Sequence, residues 1–288
     1  MNREEALKKS DEALLELAEA LQQGKSDTLL KYLETLSRFH RYSFGNCMLI
    51  ALQNPEASHV AGFHRWKQLG RWVKKDEKGI AILAPVLNRK KRDSETADEG
   101  EEPEERRTRT VRGFRVAYVF DVTQTEGKEL PEFAHLGGDP GDRIDRVVQI
   151  TTNKGIQVEF VDSLPFNANG CSLGGVVQVV NSLPPPQKFS TLVHELAHEL
   201  LHRGDRREST TKTVRETEAE SVAYVVCRSI GLNCSTRASD YIQIWNGDAK
   251  VLMQSLELIR DVATNILAEL EGENSPSQDQ SEEVAHVA

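Results

Sequence analysis

The run STLVHELAHELLH at residues 190–202 restricts what this chain can fold into more than any other stretch. It holds His194, Glu195 and His198 in an H-E-x-x-H pattern. Residues four apart on an α-helix lie one turn apart on one face. A helix here therefore presents two imidazoles to one point with a carboxylate between them, the arrangement that binds a zinc ion beside a general base. Phe189, Leu192, Val193, Leu196, Ala197, Leu200 and Leu201 recur at helical spacing and predict a buried stripe next to the histidines. Pro184, Pro185 and Pro186 predict that the helix begins after them, with Ser190 as N-cap and Gly204 as the stop. His202, one turn further on, reads as a helix C-terminal residue whose charged form suits the dipole. The competing explanation is an ordinary core helix with two buried or hydrogen-bonded histidines.

A catalytic zinc site takes a third protein ligand and keeps a position for water. Downstream lie Glu216, Glu218 and Glu220 at the start of a segment whose Val222, Ala223, Val225, Val226 and Ile230 mark a buried helix. Glu216 and Glu220 share a helix face, and Glu218 projects elsewhere. Glu216 is read as the third ligand. Glu220 is read as the acceptor for the outer nitrogen of a zinc histidine. From spacing alone the choice among Glu216, Glu218 and Glu220 stays open, and an acidic helix start exposed to solvent explains the same residues. With zinc in place, Glu195 takes the proton of an activated water in peptide hydrolysis. The apolar run at 174–181 would give a strand whose edge accepts an extended peptide.

The remaining elements follow from periodicity and breakers. Helices are expected at 3–23, from Asp27 to about residue 39, near 143–153, at 213–230 and at 248–271, with a further apolar segment at 42–52. Strands are expected at 79–86, 114–120 and 156–161, the first two pairing with each other. Residues 88–112 are charge-dense and read as a solvated loop or hairpin tip; 272–288 read as a disordered tail. The fold class is α+β with two domains, 1–125 and 143–271, joined by a linker at 126–142.

No apolar run is long enough to span a membrane, and the charged start lacks a signal peptide's apolar region. The four cysteines form no C-x-x-C pair and suit free thiols in a reducing cytosol, so a cytoplasmic location is expected. The net charge is −9, yet residues 1–92 carry 17 Lys/Arg against 11 Asp/Glu. A basic first third on an acidic chain points to a polyanionic partner.

Several separated motifs resemble one family. Phe39, His40, Arg41, Tyr42, Ser43, Phe44, Gly45 and Asn46, with Leu49 to Leu52, resemble the N-terminal domain of ArdC-type antirestriction proteins. So do Trp66 to Arg71, Val73 to Lys75 with Gly79 and Ile80, and Tyr118 to Thr125. The second half resembles the zincin-like domain related to ImmA/IrrE metallopeptidases. The resemblance implies a single-stranded-DNA-binding domain followed by a zinc metallopeptidase fold. It would place the zinc motif on His194, Glu195 and His198, with Glu216 as third ligand. Asp76 and Glu77 depart from the family's more basic turn before Gly79.

The residues agree with a DNA-binding role. Arg41, Arg65, Lys67, Arg71, Lys74 and Lys75 are placed to track phosphates. Tyr42, Phe44, Trp66 and Trp72 offer rings for base stacking, against the alternative that Trp66 and Phe44 are core. The expected function is single-stranded-DNA binding coupled to a zinc metallopeptidase-like domain, in antirestriction or mobile-element biology. One alternative is a metalloprotease that cleaves a regulatory protein. The other is a non-catalytic interaction module with structural zinc.

Overall fold

A computed structural model of the chain describes residues 1–23, 26–88, 110–129, 138–233 and 249–272. The expected disordered tail, most of the charged 88–112 segment and the middle of the expected linker lie outside the described residues.

Helix α1 (Arg3–Gln22) starts on a reciprocal cap: the Asn2 side chain accepts from the Glu5 amide, and the Glu5 carboxylate accepts from the Asn2 amide. Helix α2 (Ser26–Phe39) places Asp27 inside its first turn rather than at the cap. Helix α3 (Phe44–Gln53) is capped by Ser43. Short elements follow: β1 (Val60–Gly62), α4 (Phe63–Gln68) and β2 (Arg71–Val73). Strands β3 (Ile80–Asn88) and β4 (Thr110–Asp121) pair antiparallel in the order β1-β4-β3, with Ile82 opposite Ala117. The free backbone edge of β3 is occupied by two side-chain amides from α3. Asn46 exchanges hydrogen bonds with Leu83 at 2.8 and 2.9 Å, and Gln53 exchanges them with Ala81 at 2.9 and 3.0 Å. A sheet edge satisfied in this way cannot template another strand. The three-residue strand β5 (Thr125–Gly127) pairs with β2.

The second half comprises α5 (Arg143–Asn153), β6 (Gln157–Val161), β7 (Gly170–Ser172), β8 (Val176–Val180), α6 (Pro185–Leu201), α7 (Asp205–Ser209), α8 (Lys212–Ser229) and α9 (Ala249–Glu271). Its sheet runs β6-β8-β7, with β8 parallel to β6 and antiparallel to β7. Strand β8 is therefore central, and both of its edges are taken. This corrects the expectation that the 174–181 run supplies a substrate edge; β7, which sequence periodicity does not reveal, holds the outer position beside α6. Helix α6 also begins earlier than expected. Pro185 and Pro186 lie in its first turn, where amides have no intrahelical acceptor and a fixed φ near −65° suits the helix. Ser190 is accordingly inside the helix, not its cap.

The core is continuous across the two halves: Leu29, Leu33 and Leu36 of α2 belong to the same buried cluster as Val222, Val225 and Val226 of α8. Polar ties reinforce the junction. Arg228 bonds Glu34 at 2.9 Å, Ser229 Oγ donates to the Ser37 carbonyl at 2.7 Å, and Thr264 Oγ1 donates to the His40 carbonyl at 2.8 Å. Among the described residues no helix is long and apolar enough to cross a membrane. Cys47 and Cys171 are free thiols.

Candidate metal centre

Helix α6 stacks His194, His198 and His202 along one face, with ring centroids 4.8 and 5.0 Å apart. Leu192, Val193, Leu196 and Ala197 are completely buried beside them and fix the helix rotation. The Nε2 atoms of His194 and His198 converge to 3.1 Å, and Oε2 of Glu216 on α8 lies 3.6 Å from each. His194, His198 and Glu216 form a group whose donor atoms all lie within 4.8 Å of one another. Donors bound at about 2.0–2.1 Å in a tetrahedron stand about 3.3 Å apart. Two imidazoles and one carboxylate at these spacings fit a divalent cation.

Of the three acidic positions that spacing left open, Glu216 faces both Nε2 atoms. Glu220 sets Oε2 3.3 Å from the outer Nδ1 of His194. Glu218 turns away, fully buried, towards His202, Arg206 and Ser255. His202 is the C-cap of α6 and 1% exposed. Burial lowers its pKa against the pull of Glu218, so the expected charged, dipole-stabilising histidine is corrected to one whose charged form is disfavoured.

Electrostatics concentrate at the same point. Burial alone would lower the His194 pKa, but hydrogen bonds to Glu216 and Glu220 outweigh it and push it up to about 9. Glu216 is held well below the usual carboxylate range by those same bonds from His194 and His198. Glu195, buried beside them, is pushed up to about 7, mainly by burial, with Glu216 and Glu199 adding repulsion and His194 opposing. A carboxyl near neutrality is suited to both accepting and returning a proton.

Two residues of this region escaped sequence reasoning. Gly170 on β7 lies directly against Glu195 and Thr191. Glu199, one turn beyond Glu195, buries its carboxylate under the β7–β8 turn, where it accepts from Ser172 Oγ at 2.6 Å and from the Gly174 and Gly175 amides at 2.8 Å. The i+4 relation to Glu195 was a signal for Glu199; Gly170 has none.

The expected DNA-contacting set separates by burial. Trp66 is 2% exposed and donates Nε1 to the Phe120 carbonyl at 2.8 Å, so it is a core residue, as is Phe44. Tyr42 is half-buried against the core. Arg41 pairs with Glu271 at 2.6 Å. Arg71 is committed to Thr125 and to the Lys128 carbonyl. Arg65, Lys67, Trp72, Lys74 and Lys75 stand on the surface, Trp72 at 54% exposure. Strand β4 adds the exposed Arg112, Phe114 and Tyr118, which the sequence reading did not single out for DNA.

Two family models match separate parts of the chain. Residues 6–120 match the family model for the N-terminal domain of anti-restriction factor ArdC, and residues 151–227 match that for the IrrE N-terminal-like domain. The Mn(II)-bound crystal structure of the antirestriction ArdC protein from plasmid R388 superposes with a TM-score of 0.51 at 16% identity, covering 92% of this chain and 99% of that one. Its metal-free form gives 0.49 at 20% identity over 81% and 86%. An uncharacterized protein of Bacillus anthracis is 24% identical over 302 residues, which span 89% of this chain and 50% of that protein. The chain thus spans about half the length of that curated relative.

Proposed function

The chain is an ArdC-type two-domain protein, and from that premise we propose that its N-terminal half binds single-stranded DNA while its C-terminal half hydrolyses a peptide bond at a metal centre. The observation that carries this reading is the convergence of His194, His198 and Glu216 with Glu195 alongside. A divalent cation at these donors supplies Lewis-acid activation of a water molecule and of the scissile carbonyl. Zinc suits a set of two imidazoles and one carboxylate; the manganese-bound relative supports a divalent ion in this kind of fold.

The chain's own residues supply the rest. Glu195 takes the proton from the attacking water and returns it to the leaving amine. Glu220 receives the outer nitrogen of His194 and holds its ring. An extended peptide lies along the outer edge of β7, beside Glu195, rather than on β8. DNA binding rests on the family match of residues 6–120 and on the exposed cations and rings around β2. The protein acts in the cytoplasm, on incoming DNA and on a protein substrate.

The decisive comparison is wild type against Glu195→Gln and His194→Ala. Wild type and Glu195→Gln should each hold about one equivalent of zinc, and His194→Ala none. Denatured casein, used as a general substrate, should be cut by wild type alone. Zinc-free wild type, or cleavage that survives Glu195→Gln, overturns the peptidase reading. A single-stranded oligonucleotide should bind all three, and its affinity should fall steeply with salt.

A further inference from the structure

The two histidines of the centre are supported differently. His194 meets Glu220 directly, whereas His198 presents its outer nitrogen to another imidazole: Nδ1 of His198 and Nδ1 of His202 are 2.9 Å apart. Nε2 of His202 lies 2.9 Å from Oε2 of Glu218, and both side chains are wholly enclosed. The other oxygen of Glu218 accepts from Ser255 Oγ and from Arg206, each at 2.6 Å. Three elements thus close on one carboxylate: α8 carries it, α9 brings Ser255, and α7 brings Arg206.

Protons can be placed along this chain of contacts in one self-consistent way. A carboxylate only accepts, so Nε2 of His202 carries the hydrogen. The charge of Glu218 is already met by Arg206, so a neutral His202 completes the pair, leaving its Nδ1 with a lone pair. Nδ1 of His198 must then donate to it. A neutral His198 protonated at Nδ1 turns the Nε2 lone pair towards His194 and Glu216, the form that ligation requires. Were His202 to donate from Nδ1 instead, His198 would carry its hydrogen on Nε2, pointing into the centre.

We propose that Glu218 and His202 are a positioning pair that selects the metal-binding tautomer of His198. The inference rests on the reading of His194, His198 and Glu216 as a metal site. It also assigns a function to the acidic residue of the 216–220 segment that faces away from the metal. Through Ser255 the pair makes the ligand geometry depend on how α9 packs.

The test uses the full chain and the metal alone. Zinc dissociation constants, obtained by competition with a chromophoric chelator, are compared for wild type, Glu218→Gln and His202→Leu. The visible ligand-field spectrum of the Co(II)-loaded forms and the unfolding transition of the metal-free forms are recorded alongside. Both variants should bind zinc about tenfold to a hundredfold more weakly, and their Co(II) bands should shift. A purely structural pair would lower the metal-free unfolding temperature and leave the dissociation constant and Co(II) spectrum of the folded protein as in wild type, which overturns the inference. If neither variant folds, Ser255→Ala removes one hydrogen bond from Glu218 and no charge; an unshifted Co(II) spectrum in that variant overturns the inference, and a shifted one supports it. Wild type that takes up no metal removes the metal-site reading itself, whereas wild type that binds zinc no better than folded Glu218→Gln removes the positioning role alone.

Discussion

A Cβ on Gly170 would fall 2.7 Å from Oε1 of Glu195 and 2.6 Å from Cγ2 of Thr191. The edge strand β7 and helix α6 therefore meet where one of them has no side chain. Glu195 Cγ lies 2.8 Å away as well, so Gly170→Ala fits only if the Glu195 side chain shifts as a whole. The added methyl group should swing Glu195 away from the water it must deprotonate. A displacement of about 1 Å at a reacting group costs about 100-fold in rate. We expect Gly170→Ala to retain metal at wild-type stoichiometry and lose about 100-fold in casein cleavage. Wild-type turnover in this variant would show that Glu195 does not act from its present position.

Glu199, one turn further along α6, holds the other end of the same strand. Its carboxylate gathers the Ser172 hydroxyl, the Gly174 and Gly175 amides and the Arg203 guanidinium. Replacing it with alanine leaves these donors facing a void, and charge-assisted bonds contribute about 1.5–3 kcal/mol each. Glu199→Ala should cost about 3 kcal/mol overall, since the turn partly resolvates, read as a lower urea midpoint. Cleavage should fall as well, because β7 loses its register against Glu195.

Legibility in the sequence followed how local each feature is. His194 and His198 were readable because helix geometry turns spacing into direction, whereas spacing left Glu216, Glu218 and Glu220 open; the structure brings Glu216 to both histidines and Glu220 to the outer nitrogen of His194. Helix α6 was placed but started too late, because three prolines were read as a barrier when two of them occupy its first turn. Strand β7 is three residues beginning with glycine, too short to show any period. Whether β8 is central or at an edge depends on that missing strand, so no inspection of 174–181 alone could decide it. The surroundings of His202 come from Glu218 and Ser255, distant in sequence. Trp66 and Trp72 look alike in the chain, yet one sits on a six-residue helix facing the core and the other on a three-residue strand facing solvent.

Asp121 should dominate the acid stability of the N-terminal half. It is wholly buried at the end of β4. Burial alone would raise its pKa, but bonds from the Thr123 hydroxyl and amide and from the Ser58 and His59 amides outweigh it and hold it below the usual carboxylate range. A carboxyl depressed on folding stabilises the protein when charged. That contribution is complete above the unfolded pKa and is lost as pH falls through the folded one. Asp121→Asn keeps one acceptor oxygen and turns an NH2 towards two of the donors. It should lose about 1–3 kcal/mol at pH 7. Its stability should also depend less on pH below about pH 5 than that of wild type, as followed by urea unfolding across a pH series. Parallel pH curves for the two proteins would show that Asp121 has the same pKa folded and unfolded.

The proposed DNA-binding surface can be tested by separating rings that face solvent from rings that hold the fold. Trp72 lies over Gly127, where a Cβ would come within 2.9 Å of its ring, and the exposed Lys74 and Lys75 follow it. Trp72→Ala should weaken single-stranded-DNA binding by about 1–3 kcal/mol with little loss of stability, because its ring is already more than half exposed. Replacing Lys74 and Lys75 with alanine should reduce the slope of log affinity against log salt by about 1.4, the share of two phosphate contacts on a single strand. Trp66→Phe and Arg71→Ala should act the other way, lowering stability through lost bonds to Phe120 and to Thr125 while leaving the affinity of the folded protein near wild type. Fluorescence anisotropy with a labelled oligonucleotide measures all four. If Trp72→Ala binds as wild type does and the double change Phe114→Ala with Tyr118→Ala does not, the stacking surface lies on the outer face of β4 instead. The sheet there offers two half-exposed rings four residues apart on one face, with the exposed Arg112 beyond them at the bulge in β4.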